Sequence, residues 1–211
     1  MKPLRLKQVL GWIVTFGVIT LAASSLAEID SAATPPAHFA WNRDPAAVVI
    51  SYREVLGELA EQDTTPLIRV FGDGRVLVHH PRYSSKAGDY EVWLQPAELE
   101  NLLSSVLANG LATFEPRAAE SLKRSKEQVR LQAAVGAPKP TEVFMVADQS
   151  TSVFELNLTA VSAGELQRRV SWQGLGSDAE RYPDIESIQK LRAVELQLHA
   201  LLEHDDLWGV R

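Results

Sequence analysis

Hydrophobic positions in this chain change their spacing from one stretch to the next, and each spacing predicts an element. Val48, Val49, Ile50 and Tyr52 form a short apolar run after Pro45, which reads as a strand. Leu67, Ile68, Val70 and Phe71 precede Gly72-Asp73-Gly74, and Val76, Leu77 and Val78 follow it, the pattern of two strands joined by a tight turn. Tyr90, Val92 and Leu94 alternate with Glu91 and Trp93, predicting a further strand. The period then lengthens. Leu99, Leu102, Leu103, Val106 and Leu107 fall at i, i+3, i+4, i+7 and i+8, one continuous helical stripe. Pro96 suits the first turn of that helix, Glu98 and Glu100 sit near its positive end, and Gly110 stops it.

Residues 116–125 predict a second, shorter helix. Over Gln128–Val135 the apolar residues Val129, Leu131, Ala133 and Val135 alternate, which reads as a strand. Residues 141–159 read as a second hairpin, with Val143 and Met145 facing Val153, Glu155 and Asn157 across a turn at Asp148-Gln149-Ser150. Leu166, Arg168, Val170 and Trp172 alternate as one more strand. Pro183 and Asp184 open a final helix to about Glu203, with Asp184 as N-cap and Leu191, Val194, Leu198 and Leu201 as its buried seam. The expected fold is α+β: a single domain over residues 47–211, mainly an antiparallel sheet of hairpins packed by two or three helices.

The first residues have the form of an export segment. Lys2, Arg5 and Lys7 precede an apolar run from Val9 to Leu21, and Ser25-Leu26-Ala27 fits a small-x-small cleavage site. Residues 1–27 are therefore expected to be a signal peptide or, uncleaved, a hydrophobic membrane-anchoring helix. Both readings put the remainder outside the cytoplasm: periplasmic or secreted if cut, single-pass anchored if not. Membrane contact is then confined to residues 1–27. Residues 28–46, rich in Ala, Pro and polar side chains, read as a linker.

Composition narrows the chemistry. The absence of cysteine excludes disulfides, thiol nucleophiles, thiolate metal sites and attachment of lipid to a cysteine. Without Lys2, Arg5 and Lys7 the 21 basic side chains fall to 18 against 27 acidic, a net charge of −9 that argues against nucleic acid as partner. Gly72-Asp73-Gly74 lacks the length, the lysine and the following helix of a phosphate loop, and too few oxygens accompany it for calcium, so it reads as a turn. His79 and His80 are the candidate metal residues, yet consecutive strand side chains face opposite ways and no HExxH-type spacing supports them. Glu195 and His199, one helical turn apart, read as an exposed contact rather than a shared metal site. Arg117, Lys123, Arg124, Lys126 and Arg130 form the single basic concentration, a candidate contact for anionic headgroups, polysaccharide or an acidic partner, set against a plain solvated helix face. No Gly-x-Ser-x-Gly elbow frames a serine, and Ser84-Ser85-Lys86 lacks the Ser-x-x-Lys spacing. The Asn157-Leu158-Thr159 sequon lies within a predicted strand and reads as chance. Trp41 and Trp208 flank the domain, as a packed pair or a docking surface.

The export segment, "PLIRVFGDGRVLV" as strand-turn-strand, the helix in "LQPAELENLLSSVLANGL" and the later "SVFELNL" together resemble small exported bacterial envelope domains of unknown function, over most of residues 47–203. That resemblance implies a single exported domain and carries no catalytic residue or cofactor with it. The leading expectation is a non-catalytic binding or accessory module whose partner is an envelope protein or cell-surface ligand. The alternative is an envelope hydrolase, with or without a metal, using His79 or His80 with carboxylates.

Overall fold

Antiparallel pairing organises the molecule from one edge to the other. The structure, a computed structural model, describes residues 39–57, 63–134, 149–160 and 164–210. Eight strands are present among these residues: β1 Phe39–Ala40, β2 Val48–Val55, β3 Ile68–Phe71, β4 Arg75–His80, β5 Gly88–Trp93, β6 Thr151–Ala160, β7 Gly164–Gln173 and β8 Trp208–Gly209. They form one sheet in which β7 borders β6, β1 and β2 share the other side of β6, and β3, β4, β5 and β8 follow in turn. Four helices accompany them: α1 Pro96–Ala108, α2 Pro116–Ala134, α3 Leu175–Arg181 and α4 Glu186–Leu202, with a 3₁₀ turn over Leu111–Thr113. The fold is α+β.

Strand alternation assigns the two faces. Ile50, Tyr52, Ile68, Val70, Val76, Val78, Val92, Phe154, Leu156 and Val170 are buried together with Leu99, Leu103 and Val106 of α1 and Ile188, Leu191, Val194 and Leu198 of α4. The register stacks this face strand to strand, Phe154 opposite Tyr52, Tyr52 opposite Ile68 and Ile68 opposite Val78. Residues of the other parity, among them Arg69, Leu77, His79 and Glu91, lie on the opposite face. Burying so many aliphatic side chains, each worth about 1.5–3 kcal/mol, dominates the stability.

The glycine turn is built as a turn. Gly74 has φ +96°, and the Asp73 carboxylate accepts the Arg75 backbone N–H at 3.0 Å. Gly72 serves a different need: a Cβ there would lie 1.7 Å from the Asn42 carbonyl oxygen. The chain crosses that tightly because Trp41 donates its indole N–H to the Gly72 carbonyl at 3.0 Å. Phe39 and Trp41 pack against the core, and Phe39–Ala40 pairs with β6, so the final residues of the segment read as linker belong to the folded body.

Three other expectations are corrected. Gln128–Ala134 continues α2 rather than forming a strand; Val129 and Leu131 are exposed, so their alternation reports no buried face. β6 pairs with β7 in a hairpin and with β2 and β1 on its other side, whereas Val143 and Met145 of the expected hairpin lie outside the described residues. α4 begins at Glu186 after Ile185, and Asp184 instead binds Lys126. The reading of residues 1–27 as signal or anchor also lies outside the described residues, among which no helix is long and apolar enough to cross a membrane.

Candidate functional site

Polar groups converge where α4 crosses the end of β2 and β6. Tyr52 of β2 and Ser152 of β6 point to the helix side of the sheet, and α4 lays Arg192, Glu195 and His199 over them. Glu195 is only 3% exposed, which corrects the exposed contact that its i, i+4 spacing with His199 predicts. Its Oε1 accepts the Tyr52 hydroxyl at 3.0 Å and the Ser152 hydroxyl, while Oε2 accepts the Arg192 guanidinium. A buried carboxylate is tolerated when its oxygens are filled in this way. Burial first, and the Glu195 charge second, push the Tyr52 phenol far above its ordinary range, so it keeps its proton.

That proton fixes the neighbouring histidine. Tyr52 has one hydrogen and gives it to Glu195, so at 3.0 Å the His199 Nε2 must be the donor to the Tyr52 oxygen. Of the two neutral tautomers, that bond selects the one with its lone pair on Nδ1. His199 stands between two hollows. One, of about 240 Å³, is lined by Glu54, Ser150, Ser152, Arg192 and Glu195, and Ser150 donates to Glu54 at 2.7 Å within it. The other, of about 520 Å³, is bounded by His80, Ser84, Ser85, Lys86 and Glu203.

The two neighbouring histidines go to different faces, as strand geometry requires. His80 stays on the α4 side, edge-on to Tyr90 at 5.4 Å, and faces the larger hollow with His199. His79 lies on the opposite face, where Nδ1 meets Asp89 at 2.6 Å and Nε2 meets Asp63 at 2.8 Å. Burial works against charge on His79, but the two carboxylates outweigh it and its pKa is raised; the same hydrogen bond holds Asp63 down to about 2. With a carboxylate on each nitrogen, the ring is an imidazolium bridge. No group of three His, Asp or Glu side chains suited to a metal ion occurs among the described residues.

The basic residues of α2 divide into two sets. Lys123 binds Asp178 at 2.7 Å and Glu120 at 3.3 Å and lies over the Trp172 ring. Burial opposes its charge, yet Asp178 and Glu120 raise its pKa. Lys126 pairs with Asp184, and Arg130 donates to the Arg181 carbonyl while lying over Tyr182. Arg117 and Arg124 are exposed. The structure thus brings three of the five onto α3 and the turn after it.

Tyr52, Ser152, Glu54 and Arg192 were absent from the sequence-derived candidates. Tyr52 and Glu54 share one face of β2, but only its pairing with β6 adds Ser152, and only the packing of α4 over both adds Arg192. Asn157 donates to the Val48 carbonyl at 3.1 Å; Trp41 packs beside Gly72, whereas Trp208 stands in β8 at the edge of the sheet. No protein-family model, curated protein or solved structure matches this chain.

Proposed function

We infer that this protein is a non-catalytic binding module of the cell envelope, holding a polar ligand in the hollow bounded by His80, Ser84, Ser85, Lys86 and His199. The observation that carries this reading is the mutual satisfaction of the convergent groups. Glu195 has both oxygens filled, with Tyr52 and Ser152 both donating to it, and on the opposite face of the sheet, away from this hollow, His79 has a carboxylate on each nitrogen. A carboxylate, phenol or hydroxyl acting as general base or nucleophile needs a free lone pair within reach of its substrate, whereas Glu195, Tyr52 and Ser152 are bonded to one another and only the His199 Nδ1 is left to meet a ligand. A binding wall needs the reverse, side chains already locked by their neighbours. The hollow combines a cation, two hydroxyls and the His199 ring at the rim of that locked network.

Envelope location rests on residues 1–27, whose basic start, apolar run and Ser25-Leu26-Ala27 site support export. Cell fractionation with intact-mass measurement tests it: a mature chain beginning at Glu28, or a full-length chain in the membrane fraction, is expected. A soluble cytoplasmic chain of full mass would refute it.

Amide chemical-shift mapping against soluble envelope fragments (peptide, glycan and phosphate ester) tests the binding reading. Shifts clustered on Ser84–Lys86 and Ala200–Glu203, and lost in His199→Ala, are expected. Turnover of any fragment that disappears in His79→Ala or His80→Ala would establish the hydrolase instead.

A further inference from the structure

The face of the sheet opposite the helices carries two tryptophans that its core does not use. Trp93 of β5 is 46% exposed and Trp208 of β8 is 60% exposed. Parity puts Trp93 on the same face as Glu91, since Val92 between them is buried. Glu91 is the register partner of Trp208. Trp93 and Trp208 are therefore diagonal neighbours across an antiparallel pair, a separation of about 7–8 Å between their backbones. Glu91 lies between them, and its carboxylate accepts the Trp93 indole N–H at 2.8 Å. Arg75, the register partner of Trp93, approaches Glu91 at 3.9 Å.

Large exposed apolar rings on one face mark an interaction site. The polar groups specify its occupant. Glu91 and Arg75 offset each other's charge and remain partly accessible, at 20% and 27% exposure; Arg75 already donates one N–H to the Pro45 carbonyl at 3.1 Å and lies over the Phe71 ring, so the pair is held in place and offers its remaining N–H groups and lone pairs without a net field. Asp205 and Asp206, exposed in the turn just before β8, make the rim acidic. Nucleic acids and anionic polymers are disfavoured there, because each added negative charge meets like charge. Flat apolar faces with a carboxylate between them and a guanidinium beside it, on the β4 side, suit a ligand that has apolar C–H faces and hydroxyl edges. We propose that Trp93, Trp208, Glu91 and Arg75 form a binding platform for a neutral, pyranose-based oligosaccharide, with sugar rings stacked on the indoles and hydroxyls bonded to the Glu91–Arg75 pair. The indole N–H bond to Glu91 anchors the Trp93 ring before the ligand arrives, which lowers the entropy cost of binding.

Calorimetric titration of the purified chain with cellohexaose, chitohexaose and maltohexaose, with tryptophan emission followed in parallel, tests this directly. At least one hexaose should bind and shift the emission. Trp93→Ala and Trp208→Ala should each weaken it about tenfold, the usual effect of removing an aromatic anchor. Their far-ultraviolet circular dichroism should stay native, because both rings are exposed. Glu91→Gln should weaken binding less than either. Lack of binding to all three sugars would overturn the platform, as would affinity that both tryptophan variants retain. Binding abolished by His199→Ala but not by Trp208→Ala would move the sugar to the His199 hollow and also overturn it. A Trp208→Ala change that dissociates a dimer, with no sugar response, would reassign this face to self-association.

Discussion

Single side chains in this molecule are held by very specific obligations. Gly72 has a backbone oxygen where any Cβ would sit, and Gly74 combines positive φ with the Leu94 carbonyl 2.4 Å from its absent Cβ. Gly72→Ala is expected to cost more than about 2 kcal/mol, since backbone rather than a flexible side chain must move; urea melts of the purified variant measure it. Glu195→Ala removes the acceptor of Tyr52, Ser152 and Arg192 together and should destabilise by about 3–5 kcal/mol, while Glu195→Gln, which keeps an acceptor, costs less. The His79 bridge should give a pH signature. Its folded pKa is raised above 6.5, so its contribution is complete below that pH and fades as pH rises through the folded value. Asp63, lowered from 3.8 to about 2, contributes above its unfolded value and loses that contribution as pH falls toward 2. The melting-temperature gap between the native chain and His79→Gln should therefore be widest between about pH 4 and 6.5 and narrow in alkali. An equal gap at pH 5 and pH 9 would contradict the bridge.

Elements were legible where their buried positions are apolar and obscure where one is not. The strands around Gly72–Gly74, the Pro96 helix and the β7 alternation follow the apolar period closely. α3 does not announce itself, because its buried stripe is Leu175, Asp178, Ala179 and Tyr182, and the carboxylate breaks the pattern. Asp178 is admissible there only because Trp172 donates to it at 2.9 Å and Lys123 at 2.7 Å. Glu195 hides in the α4 seam for the same reason. Each buried acid also depends on partners distant in sequence, Lys123 for Asp178 and Tyr52 and Ser152 for Glu195, which local spacing cannot show. Conversely, the exposed alternation in α2 imitates a strand, while Glu127 and Arg130, one turn apart, bind Arg181 and Tyr182. α2 is thus docked by charge more than by apolar burial. Lys123→Ala should destabilise by about 1–3 kcal/mol, leaving Asp178 short of a donor, whereas Arg124→Ala, at an exposed site, should change little. Thermal melts of the two variants compare them, and equal losses would argue against the Lys123–Asp178 tie.

Across the whole molecule, sequence order and spatial order diverge. β6, the longest strand together with β7, lies against β2 and β1 from the other end of the described chain, so the sheet closes only when both halves are present. The candidate site shares this dependence: Tyr52 comes from the first half, and Ser152, Glu195 and His199 come from the second. Phe39 and Trp41 add a seam at the junction, where Trp41→Ala should weaken the entire domain rather than one edge. Such long-range pairing slows folding, because loop closure precedes its reward. During synthesis, the flank of β2 that awaits β6 stays unpaired from Val55 until Thr151 has left the ribosome, 96 residues later. An unpaired strand edge invites intermolecular β-pairing. Premature termination anywhere before Thr151 should therefore yield an insoluble fragment instead of a smaller folded protein, with the nascent chain depending on escorts until its last third arrives.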